Sequence, residues 1–388
     1  MNIPHQQGKT GVSPSKPDLA LAARPRSFVT LDALRGIAAI PVMYSHTARA
    51  YGTLLVFPHA HMAVDFFLLL SGFVMTYVYQ QRLDAGWRTR DFLQVRVLRL
   101  YPLYFLGLLL GAAFLVLQNR YGKVHRPLDL LLELFVLGLF FLPTPPMPLL
   151  PRAPLAMYPY NSPAWSLFFE IVANLFHALF MRRRSLRILI GFCVVMAITQ
   201  FFEAMRWNGF DIGFSRQDYL LGMGRMLLSY PLGVVLYRLW EKGRGRMYAP
   251  PWLIGLVLAA LLAVPNFRQN GLFEWVTVVA IFPLLLWFGA NSQPTPKLVR
   301  PARWLGALSY PLYILHAPLF AFFEQIWTHL SHRPMEVAAP WPGLLFLALV
   351  IPLTFWIGEN YDPEARKLLQ ARLPVPKQIK RVERSPSP

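Results

Sequence analysis

FVTLDALRGIAAIPVMYSH, residues Phe28 to His46, is apolar enough to cross a bilayer and yet carries Asp32, Arg35 and His46. Ionisable groups inside a membrane helix are costly, and they mark substrate paths, proton relays or ligand sites. Arg35 and His46 are close to three helical turns apart, which sets them on one face about 16 Å from each other along the axis. Asp32 lies one turn before Arg35, near the same face. Gly36, Ala38 and Ala39, between them, leave room for a narrow ligand or a close helix contact. The stretch reads as a membrane helix with a cation at one end of a groove and a titratable base at the other. The alternative has Arg35 snorkelling to the headgroups and His46 making a packing hydrogen bond.

The rest of the chain agrees with a membrane setting. Of 388 residues, 55% are hydrophobic and 15% charged, and apolar runs near 20 residues recur. This predicts an all-α, polytopic membrane protein. The runs are continuous rather than alternating, which excludes a bilayer-spanning β-barrel. The formal net charge of +19 would suggest a nucleic-acid partner in a soluble protein. Here Lys and Arg cluster between apolar segments and in the two tails, as they do in cytoplasmic membrane loops, so no nucleic acid is expected. Cys193 is the single cysteine, which rules out an intrachain disulfide or a cysteine metal cluster. Residues 1–27 read as a disordered cytoplasmic N-terminal extension, 28–358 as the membrane domain and 359–388 as a basic cytoplasmic C-terminal tail.

Ten crossings are expected, at about 28–48, 62–80, 100–118, 164–181, 186–203, 217–238, 251–264, 271–289, 303–326 and 341–358. The apolar piece 128–142 is shorter. If it crossed, the Arg182–Arg184 cluster and every later basic loop would face outward, so the positive-inside rule makes it a re-entrant or surface helix on the outer side. Both termini are then cytoplasmic. In this topology His46, Asp65, Glu170 and His316 fall at similar depths and are expected to converge on one polar chamber. Arg35, Arg96 and Arg99 are expected to form a basic mouth facing the cytoplasm.

LDALRG with His46 (Leu31–His46), VDFFLLLSGF (Val64–Phe73), RVLRLYPLY (Arg96–Tyr104), NSPAWSLFFE (Asn161–Glu170) and LGALSYPLYILHAPL (Leu305–Leu319) together resemble the membrane acyltransferase-3 family. The resemblance spans roughly residues 28–358, in the family's order. Two positions depart from the pattern: Ala33 replaces a usual Gly, and Ile171 follows Glu170 where a second acid is common. The resemblance implies a ten-helix protein of the bacterial inner membrane. Such proteins move an acyl group, commonly acetyl from acetyl-CoA, to a hydroxyl of an extracytoplasmic carbohydrate or glycolipid.

Acyl transfer from a thioester to a hydroxyl needs a base for the hydroxyl proton and stabilisation for the tetrahedral intermediate. His46 is the expected base, with Asp65, or else Glu170, orienting its ring. Arg35, Arg96 and Arg99 suit the phosphates of acyl-CoA, because guanidinium binds phosphate bidentately without deprotonating. Tyr313 and His316 are assigned to the substrate, with a packing role for His316 as the alternative. No tightly bound cofactor and no metal are expected, since no zinc pattern, Gly-rich phosphate loop or nucleophile elbow is present. Ser45, Ser71 and Ser166 are available for a covalent acyl-enzyme, but no motif singles one out. A transporter or flippase for a glycan or lipid-linked acyl substrate also fits charged membrane helices, as does a glycan polymerase or ligase.

Overall fold

A computed structural model describes residues 28–52, 57–121, 126–145, 154–243 and 247–373. Twelve α-helices follow one another among them. They are α1 (Val29–His46), α2 (Ala63–Asp84), α3 (Thr89–Arg120), α4 (Leu128–Leu139), α5 (Ala164–Leu179) and α6 (Leu186–Trp207). The second half holds α7 (Tyr219–Glu241), α8 (Pro251–Leu262), α9 (Asn270–Val276), α10 (Phe282–Asn291), α11 (Pro296–Ser331) and α12 (Trp341–Arg372). A π-helical turn, Thr277–Ile281, joins α9 and α10 into one rod. No strand occurs among the described residues beyond a lone bridge between Ala156 and Ser215.

Eight helical stretches are long and apolar enough to cross a membrane: α2, α3, α5, α6, α7, the α9–α10 rod, α11 and α12. The sequence-expected crossings at 28–48 and 251–264 are helical as well, but α1 carries Asp32 and Arg35 and α8 has only 12 residues. The N-terminal extension lies outside the described residues. Two expected boundaries move. The crossing placed at 100–118 begins at Thr89, so Arg96 and Arg99 are helical residues and not loop residues. Straight-chain residues favour the helix there, and the Asp91 carboxylate accepts from the Arg88 N–H at its start. The last helix continues unbroken to Arg372, through the boundary placed after residue 358.

The 128–142 segment forms α4, whose 12 residues reach about 18 Å, well short of a hydrocarbon core about 30 Å thick. One side is buried through Leu130, Leu131 and Leu134, while Leu128, Leu132, Val136 and Phe140 stay exposed. Orphan carbonyls at its C-terminal end are met by phenols: Tyr104 donates to Gly138 O at 2.6 Å and Tyr101 to Leu139 O at 3.1 Å. Tyr160 donates to Leu131 O at 2.5 Å. Burial pushes its phenol up to about 12, so it remains a donor at any physiological pH.

Helices in lipid gain little from hydrophobic association, and small residues let backbones approach instead. α1 and α11 run parallel and touch at two glycines. A Cβ on Gly36 would lie 2.3 Å from Leu305 O, and one on Gly306 would lie 2.8 Å from the Asp32 Cβ. α2 and α7 do the same, with Gly72 against Tyr230 O and Gly233 against Leu69 O. Proline supplies a different lock. Pro318 has no N–H to give the carbonyl four residues back, and Asn161 Nδ2 donates to that Ile314 oxygen at 2.9 Å. The lead into α5 is thereby fastened to α11.

A Cβ on Gly233 would stand 2.0 Å from Leu69 O, with backbone on both sides. Gly233→Ala is therefore expected to cost about 1–3 kcal/mol by forcing α2 from α7. Thermal unfolding of the detergent-purified protein reads this as a lowered melting temperature. Gly191→Ala, with nothing within 4 Å of the added carbon, is the control. An unchanged melting temperature for Gly233→Ala refutes the packing argument.

Candidate active site

A cavity of about 390 Å³ opens among α1, α2, α3, α5, α11 and α12. It brings together Arg35, Arg96 and Arg99, as the sequence anticipates, and adds Arg366 from the part of α12 beyond residue 358. Arg35 is fixed to α11: its Nε donates to Ser309 Oγ at 2.7 Å and its Nη2 to Gly306 O at 3.0 Å. Arg96 is buried and gives Nη2 to Glu170 Oε1 at 2.6 Å, while its Nε and Nη1 have no hydrogen-bond partner among the described residues. Arg99, three residues on and so on the same face of α3, is accessible. It makes no hydrogen bond or ion pair with a described residue. Arg366 is held by Asp362. The uncommitted donors of Arg96 and Arg99 make this end of the cavity a place for an anion, since buried guanidinium nitrogens without acceptors are costly.

A hydroxyl pair lines the same cavity further along α11. Ser166 Oγ and the Tyr313 hydroxyl lie 2.7 Å apart, and both also reach Pro163 O. One turn of α11 beyond Tyr313 comes His316, whose ring meets that of His46 in a parallel stack with centroids 5.0 Å apart. His46 and His316 are not among the residues lining the cavity.

The two imidazoles hydrogen-bond, His46 Nδ1 to His316 Nε2, at 2.8 Å, and His316 Nδ1 lies 3.0 Å from Leu312 O. A carbonyl oxygen only accepts, so His316 Nδ1 carries hydrogen and its Nε2, in the neutral ring, is an acceptor. His46 Nδ1 must then be the donor, which leaves His46 Nε2 unprotonated. His46 is accessible while His316 is wholly buried. The backbone carbonyl thus selects the tautomer in which the exposed ring nitrogen is a base.

This changes the role expected for the carboxylates. The four residues anticipated in one chamber separate into three groups, and His316 is the hydrogen-bond partner of His46. Asp65 is buried in an ion pair with Arg225, Nη2 to Oδ2 at 2.6 Å, and also receives the Ser229 hydroxyl. A guanidinium on the parallel helix α7 claims both its oxygens. Glu170 holds Arg96 and accepts from Ser71 Oγ at 2.8 Å, at the cationic end of the cavity. Arg225 was not singled out in the sequence, nor was Arg366. Arg225 lies mid-helix in GMGRMLL, and an arginine in an apolar run was the available signal. Trp165 is buried and stacks under the Arg225 guanidinium at 5.5 Å.

One relative, "Protein 2 in picA locus" of Rhizobium radiobacter, is 37% identical over 172 residues, covering 42% of this chain and 87% of its own length. Another, named "Putative acetyltransferase ORF330" and found in Acidianus two-tailed virus, is 25% identical over 293 residues, covering 73% of this chain and 80% of its own length. No solved structure matches the chain. The profile of the acyltransferase-3 family, described as an acyltransferase domain, matches residues 28–359. That match covers most of the chain, and with the helical bundle it settles the assignment: the chain belongs to the acyltransferase-3 family and is an acyltransferase.

Proposed function

We propose that the protein spans the bacterial inner membrane ten times with both termini in the cytoplasm, and transfers an acyl group, in the simplest case acetyl, from cytoplasmic acyl-CoA. The acceptor is a hydroxyl of an extracytoplasmic carbohydrate or glycolipid. The observation that carries this reading is the parallel pairing of α1 and α11. It fixes Arg35 beside Gly306 and Ser309 and His46 beside His316, about 16 Å apart along the helix, a distance of the order an extended pantetheine arm bridges. Phe28, at the start of α1, and Arg366, near the end of α12, belong to the same end of the bundle as Arg35, which supports termini on one side.

The CoA phosphates engage Arg96 and Arg99 with Arg35 and Arg366 beside them, and the thioester extends past Ser166 and Tyr313. His46 Nε2 takes the proton of the acceptor hydroxyl as its oxygen attacks the thioester carbon. The Tyr313 hydroxyl donates to the carbonyl oxygen as negative charge develops there. Collapse of the tetrahedral intermediate breaks the carbon–sulfur bond, and the departing thiolate takes the proton from His46. His316 holds the ring and its tautomer throughout.

His46→Ala is expected to lower acyl transfer by at least about 100-fold, the usual range for a lost general base, with CoA binding retained. Near wild-type transfer by this variant removes the assignment. Arg96→Ala and Arg99→Ala are expected to weaken CoA binding about tenfold or more, with the lysine variants intermediate because charge survives but the planar fork does not. Unchanged affinity in both alanine variants defeats the donor site. Asp65→Ala leaves the Arg225 guanidinium buried and unpaired and is expected to cost about 3–5 kcal/mol, read as a lowered melting temperature in detergent. A shifted pH–rate profile with unchanged stability would instead restore Asp65 to the catalytic group. For topology, cysteines substituted at Arg183 and Lys242 are expected to resist an impermeant thiol reagent added to intact cells. Labelling of both refutes a cytoplasmic placement.

A further inference from the structure

One group of titratable side chains lies outside the cavity and serves none of the steps above. His59 and His61 stand in the turn that leads into α2, and Glu274 in α9. His59 Nδ1 is 2.6 Å from Glu274 Oε1, and His61 Nε2 is 3.0 Å from Oε2. One donor atom from each of the three residues lies within 4.8 Å of the others. His59 and Glu274 are almost completely buried, while the His61 side chain keeps 18% of its surface.

Hydrogen bonding alone leaves the group unsatisfied. His59 Nε2 is buried without a partner among the described residues, and His61 Nε2, for all its proximity to the carboxylate, makes no hydrogen bond of acceptable direction. Burying such a group without a partner is costly. The one hydrogen bond within the group, His59 Nδ1 to Glu274 Oε1, leaves His61 Nε2 beside the same carboxylate unbonded, at the spacing ligands of one cation take.

We propose that His59, His61 and Glu274 bind zinc or a similar first-row divalent cation, with water in the remaining position. Two imidazoles and a carboxylate with an open fourth place are a zinc donor set. Bonds of about 2.0–2.2 Å put tetrahedral ligands roughly 3.3 Å apart, so small side-chain rotations complete the cage. Its supports are already in place. The Phe210 N–H donates to Glu274 Oε2 at 2.5 Å, and the His59 N–H to Leu262 O at 3.2 Å, which orients ligands from outside the cage. Arg225 Nη2 donates to His61 O at 3.0 Å, joining the site to the Asp65 pair. The ion ties the start of α2 to α9 and braces both against α7 and α8. The partial exposure of His61 is the route by which it enters. No linear pattern marks the set, because His59 and Glu274 are 215 residues apart, and the sequence alone therefore reads as metal-free.

The test uses the full chain, purified in detergent, stripped with a chelator and titrated with zinc. Wild type is expected to retain about one zinc per chain through dialysis and to gain melting temperature with zinc, since a ligand that binds only the folded state stabilises it. His61→Ala, chosen because the site is partly exposed there, is expected to stay folded, elute as wild type on size exclusion, and bind zinc at least about 100-fold more weakly with no rise in melting temperature. Glu274→Gln is expected to behave likewise. Both variants keep His46 and His316, so the difference reports this cluster alone. Equal zinc uptake and equal stabilisation in wild type and in His61→Ala overturn the proposal, as does a stripped wild type that takes up no zinc.

Discussion

The approach of α1 to α11, backbone against backbone at Gly36 and Gly306, is the constraint on which the site depends. A side chain at either glycine would displace one helix from the other. With both absent, two parallel helices stay in register, and Arg35 and His46 of α1 each find a fixed counterpart on α11. Arg35 is anchored on Gly306 and Ser309, and His46 on His316. The distance between cation and base is thus a property of helix rise, set once by the backbone and held without any loop. Pro41 lies inside α1 and leaves it continuous, because neighbouring helices stabilise a membrane helix where water would compete.

Two buried guanidinium–carboxylate pairs show how structural and functional charge differ. Every nitrogen of Arg225 is engaged: Nε and Nη2 donate to Asp65, Nη2 also to His61 O, and Nη1 to Ile212 O. Such a pair fixes helix register and offers nothing to a ligand. Arg96 has one nitrogen on Glu170 and two with no partner among the described residues, on the wall of a cavity. A half-satisfied buried network is costly in isolation, and an arriving anion removes that cost.

Much of this was legible in the sequence because membrane helices leave few explanations for a charge. The apolar runs anticipated the eight helical stretches long and apolar enough to cross a membrane, and the 128–142 run forms a helix of only 12 residues. The spacing of Arg35 and His46 on one helix face was read correctly from helix geometry alone. Depth, however, orders residues along one axis only. It placed Asp65 and Glu170 level with His46 without saying which helix stood between them, and Arg225 and Arg96 proved to be their partners. Helix ends were also obscured. Arg96, Arg99 and Arg366 are polar enough to read as loop or tail, yet α3 and α12 run through them. The pairing of His46 with His316 crosses 270 residues, and no local pattern carries it.

The cavity's charge is graded along its length. At one end, guanidinium donors stand uncommitted; further along α11 the wall carries a serine and a tyrosine, and beyond that wall two imidazoles share a hydrogen bond. On the proposed donor reading, the bundle is in electrical terms a rectifier for polyanions. A highly charged head is drawn into the arginine end and held there, because every step toward the histidines exchanges ionic contacts for hydroxyls in a poorly screened interior. A neutral arm attached to that head pays no such penalty and advances alone. Direction across the bundle is then set by the order of side chains along two helices.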